Sequence, residues 1–397
     1  MDSGDPRQAF RPRPITRRLL LRTAGLGAAA AAGLAVLGCR SGAPAGQEAK
    51  PSGSSGAQPV SNPAFDALVA AAQKEGKIVI SGPPTPATRK DVPAAFKARF
   101  GIDMEYLGGP SSDLAARLQS ERAAGQFTLD ASIAGAQTMY GTFYQNKWLQ
   151  PMRPSLILPE VTDGKYWRTG KIWFMDPGDD TVLRLLAYAG HPISVNTKLL
   201  PANQLKTADA LLDPKFKGKL GAYDPTTNGA GLPSAADFYI AKGEDFWVRL
   251  YKGQSVQLSR DADQLADGLA REKFVAVIGL GRAYLDPLVK DGFPLDDVAL
   301  GDVPDTLSGG FGTIALFDKA PHPSAAKVFA NWIASKEGAT VHSRSEVAVA
   351  NRNDIDYSWA PEEYKPKQGV NYFDTYGWDF TVNQLIPLRD KFIQLLK

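Results

Sequence analysis

Between residues 62 and 136 helical and strand patterns alternate, and that alternation constrains the fold more than any other feature. Asn62-Pro63 is a capping residue followed by proline at the first helical position. Phe65, Leu68, Val69 and Ala72 then share one face, and Gly76 stops the helix. Ile78 to Ile80 reads as a buried strand that ends in Ser81-Gly82-Pro83-Pro84. A helix is expected around Val92 to Phe100, then a strand in which Ile102, Met104 and Tyr106 alternate. Gly108-Gly109-Pro110 turns the chain into the cap run Ser111-Ser112-Asp113, which opens a helix through Gln119. Leu129 to Ile133 is a further strand, ending at Ala134-Gly135-Ala136. Strand, helix, strand, helix, strand is the signature of a parallel α/β sheet. Ligands of such sheets bind beyond the carboxyl ends of the strands. Gly82, Pro83, Ser111, Ser112 and Gly135 occupy those ends and are candidate ligand-binding residues.

Leu183 to Val195 is an apolar run too long for one ordinary strand, broken by Gly190-His191-Pro192. It reads as a connection between two bodies, with His191 beside the expected cleft. The second body is also α/β. Leu220 to Tyr223 is a strand that ends in Asp224-Pro225-Thr226-Thr227-Asn228-Gly229. Helices are expected from Pro233 through Ala241 and from Glu244 to Tyr251. Gln257 to Arg260 ends a short strand, and Asp263 to Glu272 is an amphipathic helix. The strand from Phe274 to Leu280 leads into Gly281-Arg282-Ala283-Tyr284 and another helix. Asp224, Thr226, Thr227, Ser259, Arg260, Arg282 and Tyr284 therefore border a second set of strand ends. Gly279 and Gly281 free backbone amides at a helix start, which favours an anion, and Arg282 adds a planar cationic fork there. Leu307 to Phe317 is a glycine-rich strand expected to return to the first body, followed by helices at Ser324 to Ser335 and near Asn383 to Leu396.

Ahead of this lies Thr16-Arg17-Arg18-Leu19-Leu20-Leu21-Arg22, an uncharged Ala/Gly/Leu run, and Val36-Leu37-Gly38-Cys39. A positive region, a short apolar region and a small residue before a cut site form a secretory signal. The arginine pair is similar to a twin-arginine export signal, with Leu20 and Arg22 in place of the Phe and Lys that such signals prefer. Val36 to Cys39 resembles a lipoprotein box, and Cys39 is the chain's single cysteine. Residues 1–39 are thus an export signal ending in a lipidation site, and the Ser/Gly/Pro-rich residues 40–62 a flexible tether. The chain has 45 Lys+Arg against 42 Asp+Glu, a net +3. The leader holds six Arg (7, 11, 13, 17, 18 and 22) and two Asp (2 and 5), which leaves 39 against 40 beyond it, or −1. The basicity belongs to the signal and does not imply nucleic acid. After Cys39 no cysteine remains for disulfides or thiol chemistry.

Several stretches resemble, in matching order, the type II periplasmic solute-binding proteins of ABC importers, nearest the ferric-iron-binding group. They are Leu211-Leu212-Asp213-Pro214-Lys215-Phe216-Lys217-Gly218-Lys219, Gly243-Glu244-Asp245-Phe246-Trp247, Ser259-Arg260-Asp261, Ser308-Gly309-Gly310, Ala320-Pro321-His322-Pro323, Asn331-Trp332 and Ser335-Lys336-Glu337-Gly338. The resemblance spans roughly residues 62 to 380. It implies an α/β fold with two lobes, each a mixed sheet flanked by helices, joined by two crossover strands. Lobe 1 would take residues 63–190, lobe 2 residues 191–308, and residues 309–397 the return to lobe 1 with the C-terminal helices. It also implies a monomeric, membrane-anchored carrier facing the periplasm or cell exterior. Such a carrier captures a small solute in the interlobe cleft and delivers it to an ABC permease, with no cofactor and no enzymatic activity.

Iron-binding relatives present several tyrosines, often as an adjacent pair, because the hard cation prefers anionic oxygen. Here Tyr223 and Tyr284 are the candidates, without a pair and with Arg282 close by, so a small organic anion is preferred over ferric iron. Gly279-Leu280-Gly281 begins like a dinucleotide fingerprint, but the sixth position is Tyr284. An exported hydrolase is the remaining alternative, against which stands the lack of a Gly-x-Ser-x-Gly, phosphate-loop or His-Glu-x-x-His motif.

Overall fold

A computed structural model describes residues 62–397. The export signal, Cys39 and the tether up to Ser61 lie outside the described residues.

The first helix runs Pro63–Glu75; Asn62 Oδ1 accepts from Phe65 N at 3.1 Å, and Gly76 closes the helix in the left-handed region. Strand β1 is Lys77–Gly82, β2 is Asp103–Gly108 and β3 is Ala131–Ala134. β1 pairs in parallel with both others. The intervening helices are Pro86–Phe100 and Ser111–Ala123. The former starts six residues ahead of the expected Val92 and carries Pro93 inside it. Proline there removes one helical hydrogen bond. Burial of Thr88, Val92, Phe96 and Phe100 on one face outweighs that loss. Strands β4 (Leu149–Gln150) and β5 (Leu183–Arg184) complete the sheet from the far side, both antiparallel to the returning strand Thr313–Phe317. One apolar cluster, with Phe96, Phe329 and Trp332, fills one side of this sheet; another, with Met139, Tyr140, Phe143 and Phe317, fills the other.

The apolar run 183–195 is three short strands, one in each of the three sheets. β5 belongs to the first sheet, β6 (Tyr188–Gly190) to a small middle sheet, and β7 (Ile193–Asn196) to the second large sheet. That second sheet adds β8 (Leu220–Tyr223), β9 (Gln257–Ser259), β10 (Ala276–Ile278) and β11 (Leu295–Val298), in the order β11-β7-β10-β8-β9. β8 is parallel to β9 and β10, and β7 is antiparallel to β10 and β11. Its principal helices are Gly231–Val248, Ala262–Ala270 and Arg282–Lys290. The two helices expected on either side of residue 243 meet at a break, Gly243 (φ 82°).

The glycine-rich run 307–317 is likewise two strands. β12 (Thr306–Ser308) pairs antiparallel with β6, and β13 (Thr313–Phe317) inserts antiparallel beside β3. A further strand, β14 (Phe373–Asp374), lies parallel to β12. Helices Pro323–Ala334 and Lys336–Ser345 pack on the first sheet, whereas the last helix, Ile386–Leu396, joins the second core. Phe392 of that helix stacks on Trp247, centroids 4.4 Å apart and rings 9° from parallel. The molecule is therefore two α/β lobes, each with a mixed sheet, joined through paired crossover strands.

Candidate functional site

The strand ends of both lobes and the middle sheet converge on a cavity of about 110 Å³. From the first lobe come Ser111, Gly135 and Gln137; from the junction, Tyr188, His191, Thr306, Ser308, Gly310 and Phe311. The second lobe contributes two helix starts, one around Gly229, Ala230, Pro233 and Ser234, the other at Gly279 to Arg282. Tyr364 and Tyr376 close the back from the long segment after the first-lobe helices. Gly279 makes the two helix starts adjacent. Its φ is +76°, and a Cβ there would sit 3.1 Å from Ala230 O, so residue type and close approach are both dictated.

Arg282 is the cation of this wall. Its side chain is 10% exposed, and its Nη1 lies 3.3 Å from Asp297 Oδ2. Asp297 is fully buried and also accepts from Ser194 Oγ at 2.6 Å and from the Tyr364 hydroxyl at 2.8 Å. Burial pushes its carboxyl up, and these donors and the Arg282 charge hold it back. The guanidinium is thus fixed by a buried partner, while its Nε is buried without one. Tyr364 stacks on Tyr188 at 5.6 Å and 18°, and meets the His191 ring edge-on at 5.3 Å. Asp237, on the second turn of the Gly231–Val248 helix, is buried and faces the cavity. Its Oδ1 has no partner, and burial pushes its carboxyl up to about 8.

Of the residues singled out from sequence, the cavity brings together Ser111, Gly135 and Arg282. His191, Gly279 and Gly281, read from sequence as beside the cleft and at the helix start, line it too. The remaining candidates lie outside its wall, each for a local reason. Tyr106 covers the β1 end: its hydroxyl donates to Pro83 O at 3.1 Å, and a Cβ on Gly82 would fall 2.2 Å from its oxygen. Ser112 Oγ turns away to Asp113. Asp224 is occupied by Thr226, at 2.9 Å from N and 2.5 Å from Oγ1, and by Arg260 Nε at 3.0 Å. Thr227 Oγ1 donates to Asp224 O, and Ser259 Oγ to Gln264 Oε1. Tyr284 lies toward the Thr85 and Glu346 side of the first lobe. Burial raises the phenols of both Tyr223 and Tyr284, the direction opposite to what a tyrosinate ligand needs.

Asp237, Tyr188, Tyr364 and Tyr376 were missed by sequence reasoning. Asp237 looks like any polar residue in a helix, and the two later tyrosines sit in a segment with no periodicity. Gly309-Gly310 and Gly279-Leu280-Gly281 were the usable signals, since both runs of small residues end at the cavity.

Two lobes whose strand ends meet around a shared cavity define a solute-binding protein of the periplasmic type. Residues 92–346 match the bacterial extracellular solute-binding protein family, and the chain belongs to it. An uncharacterized protein of Haemophilus influenzae is 24% identical over 346 residues, 83% of this chain and 94% of that one. Among solved structures, the periplasmic binding protein AfuA of Actinobacillus pleuropneumoniae, with fructose-6-phosphate bound, has a TM-score of 0.63 at 18% identity, covering 80% of this chain and 98% of that one. Iron-bound HitA of Pseudomonas aeruginosa has a TM-score of 0.60 at 17% identity, covering 79% and 98%. At such identities these likenesses concern the fold.

Proposed function

We propose that the protein captures a small organic anion in the interlobe cavity and hands it to an ABC permease, acting as a monomeric carrier and not as an enzyme. The observation that carries this reading is the pair of adjacent helix starts at Gly229–Ser234 and Gly279–Arg282, both lining the cavity, with Arg282 as the cation of its wall. Helix amino termini and an arginine are the donors an anion requires. Ser111 and Gly135 face them from the first lobe. Ferric iron finds less support here, although the HitA structure is iron-bound, because Tyr223 and Tyr284 lie outside the cavity wall and burial raises their phenols. Mass spectrometry of solutes and metals carried through purification of the full chain tests the reading. A stoichiometric organic anion is the expected result; a stoichiometric, coloured iron complex overturns it.

Export and anchoring belong to the same proposal. With Cys39 as the acylated residue, Cys39→Ser should move the protein from the membrane to the soluble fraction, as fractionation would measure. A variant that stays with the membrane removes the lipid anchor from the picture. Replacing both Arg17 and Arg18 with Lys should block export by the twin-arginine route; unchanged export points to the general secretory route.

A further inference from the structure

We propose that the solute has two poles: besides its anionic end it carries an ammonium or hydroxyl group that Asp237 receives in the second lobe. This rests on the cleft reading above and narrows its substrate class. The inference comes from the charge balance of the cavity wall. The Arg282 guanidinium is already paired with the buried Asp297, which Ser194 and Tyr364 also support. That pair contributes no net charge, so a plain anion entering the cavity meets donors but little uncompensated positive charge. It would also lie within reach of a wall that contains Asp237. A buried charge without compensation is costly, and an anion close to Asp237 further disfavours ionising that carboxyl.

Asp237 is the acidic side chain of the wall whose needs the fold leaves unmet. It is 6% exposed, its Oδ1 has no partner, and no side-chain hydrogen bond reaches it among the described residues. Asp297, by contrast, has Ser194, Tyr364 and Arg282. Burying a carboxyl without donors destabilises a protein by the desolvation of that group. A ligand donor supplies what is missing, and an ammonium would also ionise the carboxyl and pair with it. With the anion at the helix starts and the donor at Asp237, each charge in the closed cavity has a partner and the pair adds no net charge. The two ends of the helix's first turns set the spacing: Ser234 and Asp237 are three residues apart on one helix, so they lie on neighbouring positions of one face. Both line the cavity, and the solute is correspondingly short.

Calorimetric titration of the full chain with two matched series tests this. One series is propanoate, 3-hydroxypropanoate and 3-aminopropanoate; the other is ethyl phosphate, 2-hydroxyethyl phosphate and 2-aminoethyl phosphate. In at least one series the hydroxyl or amino member should bind tenfold or more tightly than its plain parent. In Asp237→Asn that preference should fall below threefold, with the unliganded melting temperature unchanged or raised. Asp237→Ser serves as the second variant if the first is not folded. Equal binding of the plain and substituted members in the wild type overturns the inference. So does a preference that survives both substitutions, which would show Asp237 to be only structural. If none of these compounds binds, the solute carried through purification decides: an anion lacking any ammonium or hydroxyl overturns the second pole but leaves the cleft reading standing. A solute whose affinity is untouched by Arg282→Lys, Asp237→Asn and Ser111→Ala alike binds elsewhere and removes both.

Discussion

Arg282 and Asp297 show how one residue can serve the site and the fold together. From sequence, removing the arginine would test anion binding alone. The structure changes that expectation, because Arg282→Ala strips the counter-charge from a fully buried carboxylate. Breaking a buried pair on one side typically costs roughly 3–5 kcal/mol. Urea unfolding should therefore place Arg282→Ala well below wild type, and Arg282→Ala with Asp297→Asn should regain most of the loss. A single variant as stable as wild type would mean that Asp297 is neutral in the folded protein. His342 makes a second residue-scale case. It is fully buried, its Nε2 faces Phe311 O at 2.9 Å, and burial lowers its imidazole to about 4. The ordinary value is about 6.5. The unfolded chain thus takes up a proton below pH 6.5 that the folded chain refuses until about 4. The contribution is present above pH 6.5, shrinks as pH falls, and is gone by about pH 4, a total of roughly 3 kcal/mol. Glu346, which burial pushes up to about 7, and Asp237 work in the opposite sense, losing stability as pH rises. The difference between wild type and His342→Gln isolates the histidine: their gap in stability should narrow steadily from pH 7 to pH 4. A constant gap refutes the assignment.

At the scale of elements, the last helix, Ile386–Leu396, fastens the chain's end to the second lobe. Phe392 sits between Trp247 and Tyr239, with Lys391 Nζ 2.5 Å from Glu244. The exposed ion pair adds little. Phe392→Ala removes a fully buried ring and should cost about 3–5 kcal/mol in chemical unfolding; a loss below about 1 kcal/mol would mean that the helix is only loosely docked. What the sequence made legible follows the same division between local and long-range causes. The helix that ends at Gly76 was readable because cap, face and stop all lie within its own residues. The start at Pro86 was not, since Pro93 reads as a breaker and only packing of Phe96 on Phe329 and Trp332 overrides it. The runs 183–195 and 307–317 were legible as connections but not as strands of separate sheets. Strand membership is a long-range property that apolar periodicity does not encode. The candidate site divides similarly. Ser111, Gly135 and Arg282 follow from strand-end logic, but so did Asp224 and Ser259, whose side chains are spent on their own turns.

For the whole molecule, the middle sheet decides how the lobes can move. β6 and β12 pair antiparallel, Thr306 opposite Gly190 and Ser308 opposite Tyr188, and β14 adds a third strand beside β12. Arg184, fully buried in the first lobe, reaches this sheet through its Nη1, which donates to both carboxylate oxygens of Asp374 at 2.8 and 2.9 Å. Three hydrogen-bonded strands resist sliding, while the connections at their ends run through Gly190, Gly309, Gly310 and Gly312, where the absence of a side chain lets Thr306, Tyr376, Tyr188 and Leu186 pack against the backbone. Closure should then be a hinge bend that keeps the middle sheet intact, with the cavity wall from both lobes completed only in the closed form. The solute binds the folded, closed state and not the unfolded chain. At a concentration a hundred times Kd it should stabilise the protein by about 2.7 kcal/mol. Solution scattering of the full chain should show a smaller radius of gyration with solute than after its removal. Amide exchange should slow at Ser111, Gly135 and residues 229–234 and 279–282, while β6 and β12 stay equally protected in both states. Loss of protection in β6 and β12 on closing would place the motion within the middle sheet instead of at its glycine-rich ends. A solute that saturates the protein yet changes neither the radius of gyration nor the melting temperature would argue that it sits on one lobe alone.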